Sequence, residues 1–311
     1  LPEFKSDLLI TGGMKKADAA VFKLSDGNYG IFSVDVLAPI VDDPEVFGRI
    51  VFANCISDVC AMGGKPLVGL NVAMFTGKAD TKELSKILKG AAKAALENGV
   101  VIAGGHTAKD EEIKFGIAVY GQANPNEIML GNMAKEGDLI VLTKPIGIGI
   151  QFAAYKNGAC DFREAIDSML QVNIKASEIL VRHGCKCCTD VTGFGLAATL
   201  LEVLEESKKS AVIRIEGVPL LSGVDELANN YACPVLKHNV DKTDGKLTLS
   251  PSLDPKWLNI LCDAQTSGGL LAFISKEKVD ACLVSLREAG YTSASIVGEI
   301  AGGASGVISA V

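Results

Sequence analysis

The sequence predicts an α+β protein of two domains, and three features carry that prediction. The chain has 311 residues, a length that suits two domains. Asp18-Ala-Ala-Val-Phe-Lys-Leu24 and Tyr29–Val36 alternate apolar and polar positions around Asp26-Gly27, the strongest short hairpin signal. Antiparallel hairpins then mix with helical patterns, which argues for α+β rather than a parallel doubly wound sheet. A linker near Asn132–Gly137 divides the chain into residues 1–134 and 135–311.

The elements follow in order. Beyond the hairpin, Asp43-Pro44 starts a helix, because the carboxylate accepts early N–H groups and proline already holds a helical φ. Gly63-Gly64 ends it. Pro66–Met74 reads as a buried strand and Thr81–Asn98 as a long amphipathic helix closed by Asn98-Gly99. Val100–Ala103 is a short strand running into a glycine loop, Gly104-Gly105-His106-Thr107, and Lys114–Gly121 is another strand. Gly137–Thr143 opens a second segment, in which Phe162–Arg182 and Leu196–Glu206 read as helices and Leu270–Ile274 as a strand.

Composition narrows the function. At 48% hydrophobic and a mean hydropathy of +0.30 the chain buries a large core, yet no apolar run nears the roughly 18 residues that cross a membrane. No signal peptide is recognised. A net charge of −7 and a pI of about 5.2 argue against a nucleic-acid partner. The nine cysteines are scattered and odd in number, which fits a reduced, cytoplasmic protein. Cys185-Lys-Cys187-Cys188 lacks the second pair that a zinc site needs and reads as buried strand cysteines.

Carboxylates stand out. On a 3.6-residue period Phe47, Val51, Asn54 and Asp58 form one stripe, so two polar residues continue an apolar row. A carboxylate there has to be paired, solvated or bound to a cation. If Asp26-Gly27 is a two-residue turn, Asp18 falls directly opposite Asp35, where the two charges repel unless a divalent cation sits between them. A slipped register, or solvation at the sheet's end, is the alternative. Thr189-Asp190-Val-Thr192-Gly193-Phe194-Gly195 precedes a helix that Thr192 would cap. Asp190 is either a fourth cation ligand or the cap of a turn.

The glycine-bearing loops differ in kind. Lys144-Pro-Ile-Gly147-Ile-Gly149 lacks the third glycine of a dinucleotide fingerprint, and no G-x-x-x-x-G-K-[ST] occurs. Gly104–Thr107 suits a phosphate cradle, and His106 suits either acid–base work or a structural hydrogen bond. Cys262-Asp263-Ala-Gln265-Thr266-Ser267-Gly268-Gly269 reads as a structural turn supporting the site.

Taken together, the motifs resemble the selenophosphate synthetase (selenide, water dikinase) family of the aminoimidazole-ribonucleotide-synthetase-like superfamily. The matching stretches run in family order: Asp18-Ala-Ala-Val, Pro39-Ile-Val-Asp-Asp-Pro44, Phe47-Gly-Arg, Asn54–Asp58, Ala61-Met-Gly-Gly-Lys-Pro66, Gly104–Thr107, Leu142-Thr-Lys-Pro145, Thr189–Gly195 and Gln265–Gly269. The resemblance implies an N-terminal α+β domain whose mixed sheet dimerises into a β-barrel, then an α/β C-terminal domain. It implies conversion of ATP, selenide and water to selenophosphate, AMP and phosphate with Mg²⁺, in a homodimer that a selenium-delivery protein would supply. Asp18, Asp35, Asp58 and Asp190 match the carboxylates that hold Mg²⁺ on the ATP phosphates. Lys15, Lys16 and Ala17 match a nucleotide-contacting segment, and Gly105, His106 and Thr107 a loop that reaches nucleotide across the dimer. No catalytic acid, base or nucleophile is assigned.

Two departures stand against the match. Family members carry an upstream Gly-rich segment with a Cys or selenocysteine followed by Lys, whereas the first cysteine here is Cys55, inside a predicted helix. The Leu1 start points to removal of that segment, with a paralogue lacking selenium-handling residues as the alternative. Where the family often has a second Asp before Asp18, this chain has Ala17. The competing readings are a thiamine-phosphate kinase or purine-ring cyclase of the same superfamily, a hydrogenase-maturation homologue, and a nucleotide-responsive regulatory protein without turnover.

Overall fold

The computed structural model describes residues 6–12, 14, 16–76 and 80–311. They group into two compact units. One holds Asp18–Ile128 and Met169–Ile174 with the described residues before Gly13. The other holds Met14, Lys16, Ala17, Met129–Ser168 and Lys175–Val311.

The first unit is a five-stranded sheet in the order β1-β2-β5-β3-β4, from β1 (Ala20–Lys23), β2 (Tyr29–Leu37), β3 (Lys65–Phe75), β4 (Val101–Lys109) and β5 (Lys114–Ala123). Neighbours run antiparallel except β3 and β4, which are parallel. Helices α1 (Pro44–Cys55), α2 (Ser57–Ala61) and α3 (Thr81–Glu97) complete it. Alternation sorts the strands by face: Val21, Ile31, Phe115, Ile117 and Val119 are buried, whereas Phe32, Val34, Val36 and Leu70 are exposed. Asp43 caps α1, its carboxylate accepting from the backbone N–H groups of Glu45 and Val46 at 2.8 and 3.0 Å. The predicted helix pauses at Ile56, which separates α1 from α2.

The hairpin register differs from the two-residue turn. Leu24 N–H donates to the Asn28 carbonyl at 2.9 Å, so the loop is Ser25-Asp26-Gly27. The Asp26 carboxylate accepts from the Asn28 backbone at 3.0 Å, and Gly27 takes φ +88°, the three-residue hairpin geometry. Ala20 therefore pairs with Phe32, and continuing that count sets Asp18 against Val34, not Asp35. The directly opposed carboxylates are not formed.

Gly104–Thr107 is a second correction. These residues are part of β4, an edge strand, rather than a loop after it. Pairing shifts register between Gly69 and Asn71, and Gly105, at φ +154°, passes so close to Asn71 that a Cβ would stand 2.1 Å from its carbonyl oxygen.

The second unit is a seven-stranded sheet, β7-β10-β6-β11-β8-β12-β9. Its strands are β6 (Leu139–Leu142), β7 (Cys187–Asp190), β8 (Ser210–Ile213), β9 (Leu247–Leu249), β10 (Leu270–Ile274), β11 (Ser295–Ala301) and β12 (Val307–Ala310). Only β8–β12 and β12–β9 pair in parallel, so the expected α/β domain is a mixed, mostly antiparallel α+β sheet. Its helices are α4 (Ile148–Lys156), α5 (Arg163–Leu170), α6 (Ile174–Arg182), α7 (Gly195–Ser207), α8 (Val224–Leu227), α9 (Leu236–Thr243), α10 (Lys256–Leu261) and α11 (Lys276–Glu288). The helix expected over Phe162–Arg182 is thus broken between α5 and α6. All nine cysteines are free thiols, and Cys185, Cys187 and Cys188 are buried. Among the described residues, no helix is long and apolar enough to cross a membrane.

Candidate active site

The polar stripe on the first helices meets two polar residues of β2. Ser33 and Asp35 are two apart on one strand, and Asn54 and Asp58 are four apart across α1 and α2, so each pair shares a face. The pairs cross-link. Asn54 Nδ2 donates to Asp35 Oδ2 at 2.7 Å, and the Ser33 hydroxyl donates to Asp58 Oδ2. Cys55 Sγ donates to the Asp35 backbone carbonyl at 3.4 Å, so adjacent residues of α1 hold Asp35 by side chain and by main chain.

Electrostatics at this patch are unbalanced. Burial pushes the Asp35 carboxyl above its usual range, against a smaller lowering by the Asn54 amide. No Lys or Arg among the described residues forms an ion pair with it. Both neighbours are neutral donors, which orient a carboxylate without cancelling its charge. That donor set, hard oxygens with residual negative charge, suits Mg²⁺. No three His, Cys, Asp or Glu side chains gather as a ready-made metal site among the described residues. Phosphate oxygens and water would therefore have to complete the coordination, as is usual for Mg²⁺. The Cys55 thiol, fully buried, is pushed well above its ordinary value by desolvation and then by the Asp35 charge, so it stays protonated.

The other expected site residues lie on other elements. Lys15 lies outside the described residues. Lys16 belongs to the C-terminal unit, where it pairs with Glu202 of α7 at 2.8 Å and lines a shallow cavity with Lys242 and Lys246. Ala17 is exposed, and Asp18 is half-buried in a bend before β1. Gly105, His106 and Thr107 are exposed on β4. Asp190 ends β7, buried, with its backbone paired to Leu270.

Thr192 does not cap α7. The helix begins at Gly195, Phe194 holds the cap position, and no side chain caps it. Thr192 instead uses its carbonyl, which accepts from Gly195 and Gln265 N–H at 3.0 Å each and so makes the turn ahead of the helix. Lys242 places its ammonium over the Phe194 ring, 3.2 Å from the centroid.

The turn at Cys262–Gly269 supports its surroundings more specifically than its composition indicated. Gln265 Oε1 accepts from Gly147 and Ile148 N–H at 3.1 Å, and Asp263 Oδ2 from Gly149 N–H at 3.0 Å. The first N–H groups of α4 are thereby satisfied by side chains from β10's approach, where a dinucleotide fold would bind phosphate. Lys144, almost fully buried, donates to the Ser168 and Ser267 carbonyls at 3.2 and 2.8 Å. Sequence reasoning missed Ser33 and the Lys144 ammonium. Ser33 sits two residues from Asp35 on an alternating strand, which was the available signal.

Residues 16–123 match the AIR synthase related protein N-terminal domain, and residues 135–310 its C-terminal domain. The chain is 37% identical over 300 residues to a selenide, water dikinase of Carboxydothermus hydrogenoformans, covering 95% of this chain and 87% of that one. It is 37% identical over 313 residues to the selenide, water dikinase of Myxococcus xanthus, covering 99% and 89%. Among solved structures, hydrogenase maturation protein HypE superimposes with a TM-score of 0.74 at 22% identity, over 98% of this chain and 90% of that one. Thiamine monophosphate kinase of Aquifex aeolicus superimposes at 0.68 and 17%, over 95% and 91%; these two likenesses speak to fold alone. The chain belongs to the selenide, water dikinase family, on a scaffold of AIR synthase related domains.

Proposed function

We propose that this protein makes selenophosphate, converting ATP, selenide and water to selenophosphate, AMP and phosphate. The observation that carries this reading is the identity to selenide, water dikinases of several organisms, which runs through nearly the whole chain. Asp35 and Asp58 would hold Mg²⁺ on the ATP phosphates, with Asp18 and Asp190 as further carboxylates. When bound, Mg²⁺ neutralises charge developing on the phosphates and aligns the attacking group. The protein's own part is orientation. Asn54 fixes the Asp35 carboxylate, and the Ser33 hydroxyl, donating to Asp58, orients that carboxylate. Lys15, Lys16 and Ala17 would contact nucleotide, Lys16 bringing positive charge.

The exposed apolar residues Phe32, Val34 and Val36 of β2 and Leu70 of β3, together with the open edge at β4, support a homodimer through this sheet, closing a barrel. Gly105, His106 and Thr107 on that edge would then reach the partner's nucleotide. The protein would act in the cytoplasm, taking selenium from a delivery protein. Calorimetry of Mg-ATP binding tests the site: Asp58→Ala and Asp190→Ala should each weaken it, and unchanged affinity in both removes the carboxylate assignment.

A further inference from the structure

The break between α5 and α6 carries a buried side chain that bonds the start of α2. Residues 169–174 come from the C-terminal half of the sequence but group with the N-terminal unit. Within them Asn173 is fully buried, and its Nδ2 donates to Ser57 Oγ at 2.9 Å; Ser57 is fully buried too. Ser57 is the first residue of α2, a helix of five residues whose cap position, Ile56, supplies no side-chain hydrogen bond. Asp58 is the second. The start of α2 is therefore gripped twice, Ser57 by Asn173 and Asp58 by Ser33.

So short a helix has little stiffness of its own. Side-chain bonds therefore help to hold it: Ser33 bonds the Asp58 carboxylate itself, and Asn173 bonds the residue before it. A continuous helix from Phe162 to Arg182 would keep residue 173 in regular helical geometry, and the break frees it for this contact. We propose that Asn173 is a positioning residue for the reaction, acting through Ser57 to aim Asp58 at the magnesium–nucleotide complex. This rests on the functional reading above, in which Asp58 is a metal ligand.

The test uses the whole chain, with Mn²⁺ as the probe for the metal and a non-hydrolysable ATP analogue present, and reads Mn²⁺ binding by electron paramagnetic resonance. Asn173→Ala and Ser57→Ala should each weaken Mn²⁺ binding about 5- to 10-fold, the effect of one buried hydrogen bond. The double variant should be no worse than the weaker single one, since both delete the same bond. Ser57→Thr, which keeps the hydroxyl, should recover most of the affinity. Should Asn173→Ala not fold, the Ser57 variants carry the test. Wild-type Mn²⁺ affinity in folded Asn173→Ala or Ser57→Ala, with only the melting temperature lowered, overturns the proposal, and so do additive losses. Asp58→Ala separates the two levels: if it binds Mn²⁺ normally, the site reading falls and this inference with it. If it is defective while Asn173→Ala and Ser57→Ala are normal, this inference alone falls.

Discussion

Asp263 offers a quantitative test of how the C-terminal unit is built. Its carboxyl is fully buried beneath α4, and burial raises it from an ordinary 3.8 to about 7, despite hydrogen bonds from Gln265, Ile150 and Gly149 that pull the other way. A folded value above the unfolded one means that the native state binds the extra proton. The resulting stability is present at low pH and is lost as pH rises from about 4 through about 7. The full span corresponds to about 4 kcal/mol, of which about 2–3 kcal/mol falls between pH 5 and pH 8. Asp263→Asn keeps the shape and an acceptor for Gly149 N–H while removing the titration. The chain's only tryptophan, Trp257, lies in α10, so urea unfolding followed by its fluorescence reports on this unit. Relative to Asp263→Asn, the wild type should lose about 2–3 kcal/mol between pH 5 and pH 8. Parallel pH profiles for the two proteins would refute the buried-carboxylate argument.

Three further outcomes follow from the N-terminal unit. Asp35→Asn removes a charge that burial disfavours, so the metal-free protein should melt higher while Mg-ATP affinity drops about tenfold or more in calorimetry. Gly105→Ala forces a Cβ to within 2.1 Å of the Asn71 carbonyl at a positive φ; the backbone must shift, at a cost of about 2–3 kcal/mol in chemical denaturation. Val34→Glu places a charge on the exposed apolar face through which the homodimer is proposed to form, and sedimentation should show this variant as monomer and the unsubstituted protein as dimer, with the fold intact by circular dichroism.

Much of this architecture is written locally. The Asp43-Pro44 start, the strand at Leu270–Ile274 and the stripe that carries Asn54 and Asp58 depend on caps and periodicity, which act over a few residues. The hairpin register failed because one residue of turn length shifts every pair, and the Asp26–Asn28 interactions that chose the longer loop are not part of the alternation pattern. Gly104–Thr107 read as a loop because two glycines signal flexibility, whereas the close approach to Asn71 that requires Gly105 is a tertiary contact. Asn173 was hidden for the same reason. Nothing in a helical pattern announces that one polar residue will leave the helix to bond Ser57, 116 positions away.

The claim that matters most is the reaction. Anaerobic phosphorus-31 NMR of this protein with Mg-ATP, with and without selenide, addresses it directly. Selenophosphate, AMP and phosphate should appear together and only when selenide is present. ATP left unchanged by selenide, or ADP formed in place of AMP, would contradict the claim.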